Sequence, residues 1–280
     1  MKALAVAILA GLLLPAAANA QQFGEKDVVT ADASRGYVLF RLPPRSFNII
    51  FMRYLEPREL DRFDEARRAA FAAEKPKADA KRAAALADQA AGRDTRVPDE
   101  LTLDTFDFRY DLISNTFVAK ARDPFAVGTS DKTYLYGLQP GTYAVVGISY
   151  TGGGEHMNSC ACMGSVKFEV KPGAIVDLGF IMTGMVGQPS EYPELADYTG
   201  RKITKLSQPP PGAIGLRPYD ASMSRPANLP ALPVEAADLR AQGKIPNFFY
   251  SLITRMAPVK GVLDYKLDKV IDVKSGEEVP

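Results

Sequence analysis

Between residues 131 and 179 polar and apolar side chains alternate and the alternation is broken by Pro-Gly pairs, a pattern that restricts the possible folds more than any other in the chain. Val166, Phe168 and Val170 alternate with Lys167 and Glu169, the period of two that sends one face of a strand into a core and the other into water. Lys171, Pro172 and Gly173 then lead into AIVDL at 174–178. The same device joins KTYLYG (132–137) through Leu138, Gln139, Pro140 and Gly141 to TYAVVGISY (142–150). Proline presets φ at one turn position and glycine accepts a positive φ at the next. Residues 37–42 and 47–54 read as two strands joined into a hairpin by Pro43, Pro44 and Arg45, and residues 115–120 as another strand. Phe106, Phe108 and Tyr110 alternate with Asp107 and Arg109, which predicts one more half-buried strand. Short antiparallel strands with tight turns predict a mainly β fold, an antiparallel sandwich rather than a parallel α/β sheet. Phe106, Phe108, Val145, Val166 and Phe168 are its expected core, with Lys167 and Glu169 outside.

One stretch contradicts this pattern. Residues 57–92 hold 13 alanines among 36 positions, mixed with charged side chains and free of β-branched residues. Pro57 can open a helix whose first turn carries Glu59 and Asp61 at the positive end of the dipole. Leu60, Phe63 and Phe71 make a thin apolar stripe, and Asp64 can support Arg68 at i,i+4. Lys75 and Pro76 are expected to break the run, with a second helix from about 77 to 91 closed by Gly92. The reading is an α-helical hairpin inserted in the β domain, either solvated or contacting a partner.

The first 20 residues carry Lys2, an apolar run from Ala3 to Leu14 and the small-residue end Ala18, Asn19, Ala20. This reads as a signal peptide cleaved before Gln21, which places the mature chain in the periplasm or the medium. Without those residues the chain has 33 basic and 33 acidic groups. A neutral chain lacks the long-range attraction that recruits polyanions, so nucleic acid is not an expected partner. No transmembrane helix is expected in the mature chain, and its oligomeric state cannot be read from the sequence.

The β region is expected to extend over residues 21–180, with the helical insertion at 57–92. Residues 181–234 then show little periodicity and repeated proline, at 209–211, 218, 226, 230 and 233. Proline lacks a donor and restricts its predecessor, so this segment is read as a proline-rich extended arm, partly ordered by Tyr192, Tyr198 and Tyr219. The remaining 235–280 is expected to pack on the main domain. Residues 234–242 suggest a short helix closed by Gly243, residues 248–256 an apolar run of open type, and residues 261–273 a strand or hairpin, since Leu263, Tyr265 and Leu267 alternate with Asp264, Lys266 and Asp268.

The phrases YLYGLQPGTYAVVGISY and VKFEVKPGAIVDLG resemble the strand, Pro-Gly turn, strand pattern of transthyretin-like or carboxypeptidase-regulatory-like domains, and are similar to small uncharacterised envelope-protein domains. The resemblance covers roughly residues 131–179. It implies a Greek-key arrangement of the sandwich and a non-enzymatic module, and it transfers no catalytic residue. The helical insertion and the proline-rich region depart from those families.

Chemistry is concentrated at residues 152–163, GGGEHMNSCACM, which hold both cysteines and the single histidine of the chain. In an exported protein the first reading is a Cys160–Cys162 disulfide. The alternative is a soft-metal site in which His156, Cys160 and Cys162 bind copper or zinc, with Met157 or Met163 as a weaker ligand. No other cofactor is expected. One histidine excludes HExxH and any site needing several imidazoles, and no G-x-S-x-G elbow occurs. Paired carboxylates of a hydrolase are a third possibility, because their separation is a three-dimensional property. The combined expectation is a non-enzymatic binding or structural protein of the bacterial cell envelope, whose partner is an envelope protein or a small ligand.

Overall fold

The structure, a computed structural model, describes residues 20–106, 108, 115–152, 155–199, 212–247 and 251–280. The leader up to Asn19, Tyr110, the prolines at 209–211 and Phe248 lie outside these residues. The chain divides into two compact units, residues 1–54 with 116–280, and residues 55–115.

The larger unit is built from strands. Its first sheet has the order β1 (Gln21–Phe23), β6 (Lys132–Leu138), β2 (Gly36–Leu42), β10 (Ile175–Met185), β11 (Gly212–Arg217), with β5 (Ala126–Val127) beside β6 and β12 (Val234–Ala236) beside β10. The second runs β13 (Arg240–Gln242), β9 (Ser165–Val170), β7 (Gly141–Gly152), β3 (Asn48–Arg53), β4 (Thr116–Ala119), with β8 (Glu155–Cys160) paired to β7 and β14 (Leu252–Ile253) to β8. A three-stranded meander, β15 (Leu263–Lys266), β16 (Lys269–Asp272) and β17 (Glu277–Val279), follows. Residues 261–273 therefore supply the first hairpin of that meander.

Both large sheets contribute to one core. Phe40 of the first sheet lies 5.6 Å from Phe51 of the second, and Tyr136 lies 5.5 Å from Phe117. Val145, Val166 and Phe168 are buried there, with Glu169 exposed and Lys167 half-buried. The alternation at 166–170 thus decides which atoms leave water, as the period of two requires.

The expected antiparallel sandwich needs correction. Both large sheets are mixed, because β2 pairs with β10 in parallel, β12 with β10 in parallel, and β14 with β8 in parallel. The two sheets share a core without closing into a sandwich. The hairpin expected across Pro43 and Pro44 is absent, since β2 and β3 belong to different sheets. The turns at Pro140-Gly141 and Pro172-Gly173 likewise carry the chain from one sheet to the other. A tight turn sets the local φ, and Gly173 has φ +67 as the sequence requires. Whether the departing strand then pairs with its predecessor or crosses over it is decided by side-chain burial farther along.

Two C-terminal expectations also change. Residues 234–242 form β12 and β13 rather than a helix, because their backbone donors and acceptors extend the two sheets while Leu239 and Ala241 enter the core. The proline-rich region holds β11, a proline-free strand at a sheet edge, and a short helix, α2 (Pro193–Thr199), whose Leu195 is buried with Met182 and Ala213. Residues 218–233 run without regular structure, and Leu229, Leu232 and Val234 cover Tyr37, Leu39 and Ile175 on the far side of the first sheet.

Over residues 57–92 the smaller unit has a continuous helix, α1 (Pro57–Ala90), instead of a hairpin. The backbone N–H of Glu56 donates to Glu59 Oε2 at its start, and Gly92 has φ +76 beyond its end. Pro76 lies inside it, although proline removes one helical hydrogen bond and costs about 3 kcal/mol. Exposed ion pairs span the turn that holds it, Lys75 with Asp79 and Lys77 with Glu74, and the following segment is bound along both halves of the helix. Arg67 donates to the carbonyl of Leu103, Lys75 to that of Leu101 and Arg82 to that of Pro98. Residues 106 and 108 belong to this returning segment and not to a strand. Phe106 meets Phe71 at 5.7 Å and Phe108 meets Phe63 at 5.7 Å, all within this unit. Their alternation serves a helix surface with the same 3.6-residue stripe that holds Phe63 and Phe71. Leu60 lies on the same helix face as Phe63 and Phe71 but is 48% exposed.

Unit 55–115 is inserted at the end of a β hairpin. Met52 and Thr116 are ladder partners in the β3–β4 pair, so the chain leaves and re-enters the sheet at neighbouring positions.

Candidate functional site

His156, Cys160 and Cys162 do not form the expected loop cluster. Residues 155–160 are strand β8, paired with β7 from Gly152↔Glu155 to Gly147↔Cys160. Four residues of extended chain span about 13 Å, so His156 is held away from Cys160. Its Nε2 lies 2.9 Å from Ser149 Oγ, and Ser149 is 1% exposed. Met157 packs on the main core, whereas Met163 is partly exposed. Among the described residues no group of three or more His, Cys, Asp or Glu side chains converges in a way that could hold a metal ion.

Cys160 and Cys162 are joined by a disulfide, and both are buried. Their Cα atoms are 5.0 Å apart, against roughly 6.6 Å for two residues of extended strand. The chain therefore turns at the end of β8, and the turned carbonyls become acceptors for a later segment. Thr254 N–H donates to Cys160 O at 2.7 Å, Ile245 N–H to Cys162 O at 2.9 Å, and Met163 N–H to Thr254 O at 3.1 Å. With both sulfurs bonded to each other, neither thiolate is available to copper or zinc.

A second polar centre was not anticipated from the sequence. Arg41 and Asp177 are 1% and 0% exposed and form a paired-fork contact, Nη1 to Oδ1 at 2.7 Å and Nη2 to Oδ2 at 3.2 Å. A β-bulge between Asp177 and Phe180 brings them together. Gly179 there has φ +96, and a Cβ on it would lie 2.2 Å from Arg217 O. The proline-rich arm completes the set: Arg41 Nη2 donates to Ser224 O at 2.7 Å, Arg225 Nε to Asp177 Oδ2 at 3.3 Å, and Arg225 lies over the Tyr219 ring at 4.1 Å. Charged letters inside YVLFRL and AIVDL were the available signal. The other strongly engaged carboxylate, Asp272, accepts from Arg240 Nε and the backbone N–H groups of Ala241, Lys274 and Ser275. Burial acts against its ionisation, but the Arg240 bond and the amides of Ser275 and Ala241 outweigh it and hold its pKa below the usual carboxylate value.

A cleft of about 330 Å³ opens between the β2–β3 crossover on one side and the end of β10 with the loop after it on the other. Ser46 Oγ and Thr183 Oγ1 lie 3.0 Å apart along its lining, and Phe47 N–H donates to Thr183 Oγ1 at 3.1 Å. Phe47 packs on Tyr150 at 4.9 Å and Tyr192 on Phe180 at 5.7 Å, which steadies two aromatic lining residues. Burial, reinforced by Glu191, pushes the Tyr192 hydroxyl up to about 12, so it remains a proton donor. Arg45 and Glu191 line the same cleft and make no ion pair among the described residues. These residues come from a turn and from an aperiodic segment, so no sequence period marked them.

Comparison with protein-family models, curated proteins and solved structures finds no match. Among the described residues no helix is long and apolar enough to cross a membrane, which leaves strand-built crossings unaddressed.

Proposed function

We propose that the chain is an exported, non-enzymatic binding protein of the cell envelope, with the cleft around Ser46, Phe47, Thr183 and Tyr192 as its ligand site. The observation that carries this reading is the lining itself: aromatic side chains fixed by neighbours, hydroxyls already hydrogen-bonded, and one charged side chain of each sign, Arg45 and Glu191. Binding sites are commonly concave surfaces with a few oriented polar groups. The two buried carboxylates among the described residues, Asp177 and Asp272, are occupied by arginine and backbone donors, so a carboxylate hydrolase has no support from them. Ser149, whose hydroxyl meets His156, is 1% exposed, which gives a serine nucleophile there no support. Export rests on the leader-like first 20 residues and on β1 beginning at Gln21, the residue that follows the expected cut. A binding role also agrees with the transthyretin-like resemblance of residues 131–179.

The test is a titration of isotope-labelled mature protein with amino acids, short peptides and sugars, followed by NMR. Saturable shifts confined to residues 45–47 and 183–192, and lost in Tyr192→Ala, are expected. Saturable binding mapped elsewhere, or turnover of a bound compound, would reject the reading.

A further inference from the structure

Strand β1 is anchored at each of its residues. Phe23 is buried against Tyr37 and Leu135, and Gln22 Nε2 donates to Arg122 O at 2.6 Å and Asp123 O at 3.1 Å. Gln21 pairs with Gly137 in the ladder. Its side-chain Oε1 accepts a hydrogen bond from Arg35 Nη1 at 2.9 Å, while Arg35 Nη2 donates to Gly137 O at 3.3 Å. The guanidinium is thus held by the ladder partner of Gln21 and directed onto the amide oxygen of Gln21 itself.

We propose that Gln21, as the first residue of the mature chain, is a modification site that closes to pyroglutamate, with Arg35 assisting the closure. This rests on the export reading, which makes the α-amine of Gln21 free. An N-terminal glutamine holds a nucleophile and an electrophile in one residue. An ordinary α-amino group titrates near 8, which leaves roughly a tenth of it neutral at pH 7. The neutral amine attacks Cδ of the side-chain amide, and a C–N bond forms as negative charge develops on Oε1. The Cδ–Nε2 bond then breaks, the proton released by the attacking amine passes to the leaving nitrogen, and ammonia departs. No oxidant or reductant is involved. A donor directed at an oxygen that gains charge lowers the barrier, and Arg35 occupies that position. The lactam carbonyl remains an acceptor for Arg35 after closure, while the α-ammonium, a like charge near the guanidinium, is removed.

Two measurements test this. In the first, the N-terminus of the exported, purified protein is mapped by peptide mass analysis, with Gln21 expected first and lighter by one ammonia. In the second, a protease cut before Gln21 exposes the free residue in the full mature chain, and intact mass is followed with time. Closure is expected in the parent, about tenfold slower closure in Arg35→Ala, partial recovery in Arg35→Lys, and none in Gln21→Asn. Thermal unfolding of each variant separates slow closure from a displaced strand. A first residue other than Gln21 overturns the proposal together with the export reading. Gln21 in first place with a persistent free amine overturns the proposal alone. An unchanged rate in folded Arg35→Ala overturns the part given to Arg35.

Discussion

In the β body the guanidinium of Arg41 is withdrawn from water and met by a carboxylate, whereas in the inserted unit Arg67, Lys75 and Arg82 stay half-exposed and meet backbone carbonyls. The body can hold a buried charge because the strands around it fix a complete set of partners, one of them supplied by the proline-rich arm. Among its described residues the inserted unit has no comparable interior. Along α1 only Ala85 is buried, so the unit depends on helix propensity and on a row of individually weak cationic straps. Removing one group should therefore have a large effect in the first region and a small, local one in the second.

The largest effect is expected from Asp177→Ala, which leaves Arg41 buried without its counter-charge. Chemical denaturation should show a loss of about 3–5 kcal/mol, and Arg41→Met combined with Asp177→Leu should recover much of it, because an apolar pair replaces an ion pair more readily than a vacancy does. A mild loss in the single variant would show that the arm rearranges to admit water. The opposite sign is expected in the inserted unit. Pro76→Ala restores a backbone donor and should raise the helix's own stability by about 2–3 kcal/mol, seen as slower amide exchange near residue 72 with little change in the body.

The depressed pKa of Asp272 sharpens the comparison within the body. A carboxylate whose folded value lies below its unfolded value, ordinarily about 3.9, contributes stability that is present above that pH and lost as pH falls through the folded value. Asp272→Asn should weaken the protein by about 1–3 kcal/mol at neutral pH, and the loss should shrink below about pH 4 as the parent carboxylate itself becomes protonated. A stability difference independent of pH in that range would mean that geometry rather than charge is responsible. The smallest effect on the body is expected from excision. Because Met52 and Thr116 are ladder partners, with Arg53 and Asn115 next in line, replacing residues 54–114 by a two-residue Asn-Gly turn should leave the β circular dichroism and the unfolding midpoint of the body nearly unchanged. Loss of cooperative unfolding would show that the body needs the insertion.

The existence of most long strands was legible at residue level, as at Val166, Phe168 and Val170, and so were the positive φ of Gly173 and the helix start at Pro57. The alternation of Phe106 and Phe108 misled because a period of two in three residues also suits an extended chain laid on a helix. The metal alternative failed to assemble because a glycine-rich segment that looked like a loop contains a strand, and a strand keeps His156 and Cys160 apart. Arg41 and Asp177 were visible as charges inside apolar runs, but nothing in their local sequence named either as the other's partner. The cleft was not legible at all, since its lining combines a crossover and an aperiodic segment separated by more than a hundred positions.

By itself the sequence determined the mainly β character of the chain, the alanine-rich insertion, and the faces that leave water, because propensity, turn chemistry and alternation act over a few neighbouring residues. Tertiary structure alone decided that the Pro-Gly turns cross between sheets, that Pro76 lies inside a continuous helix, and that Arg41 meets Asp177. Each of those outcomes depends on which distant surface is available to satisfy a backbone group, a charge or an apolar face, and that is a property of the assembled chain.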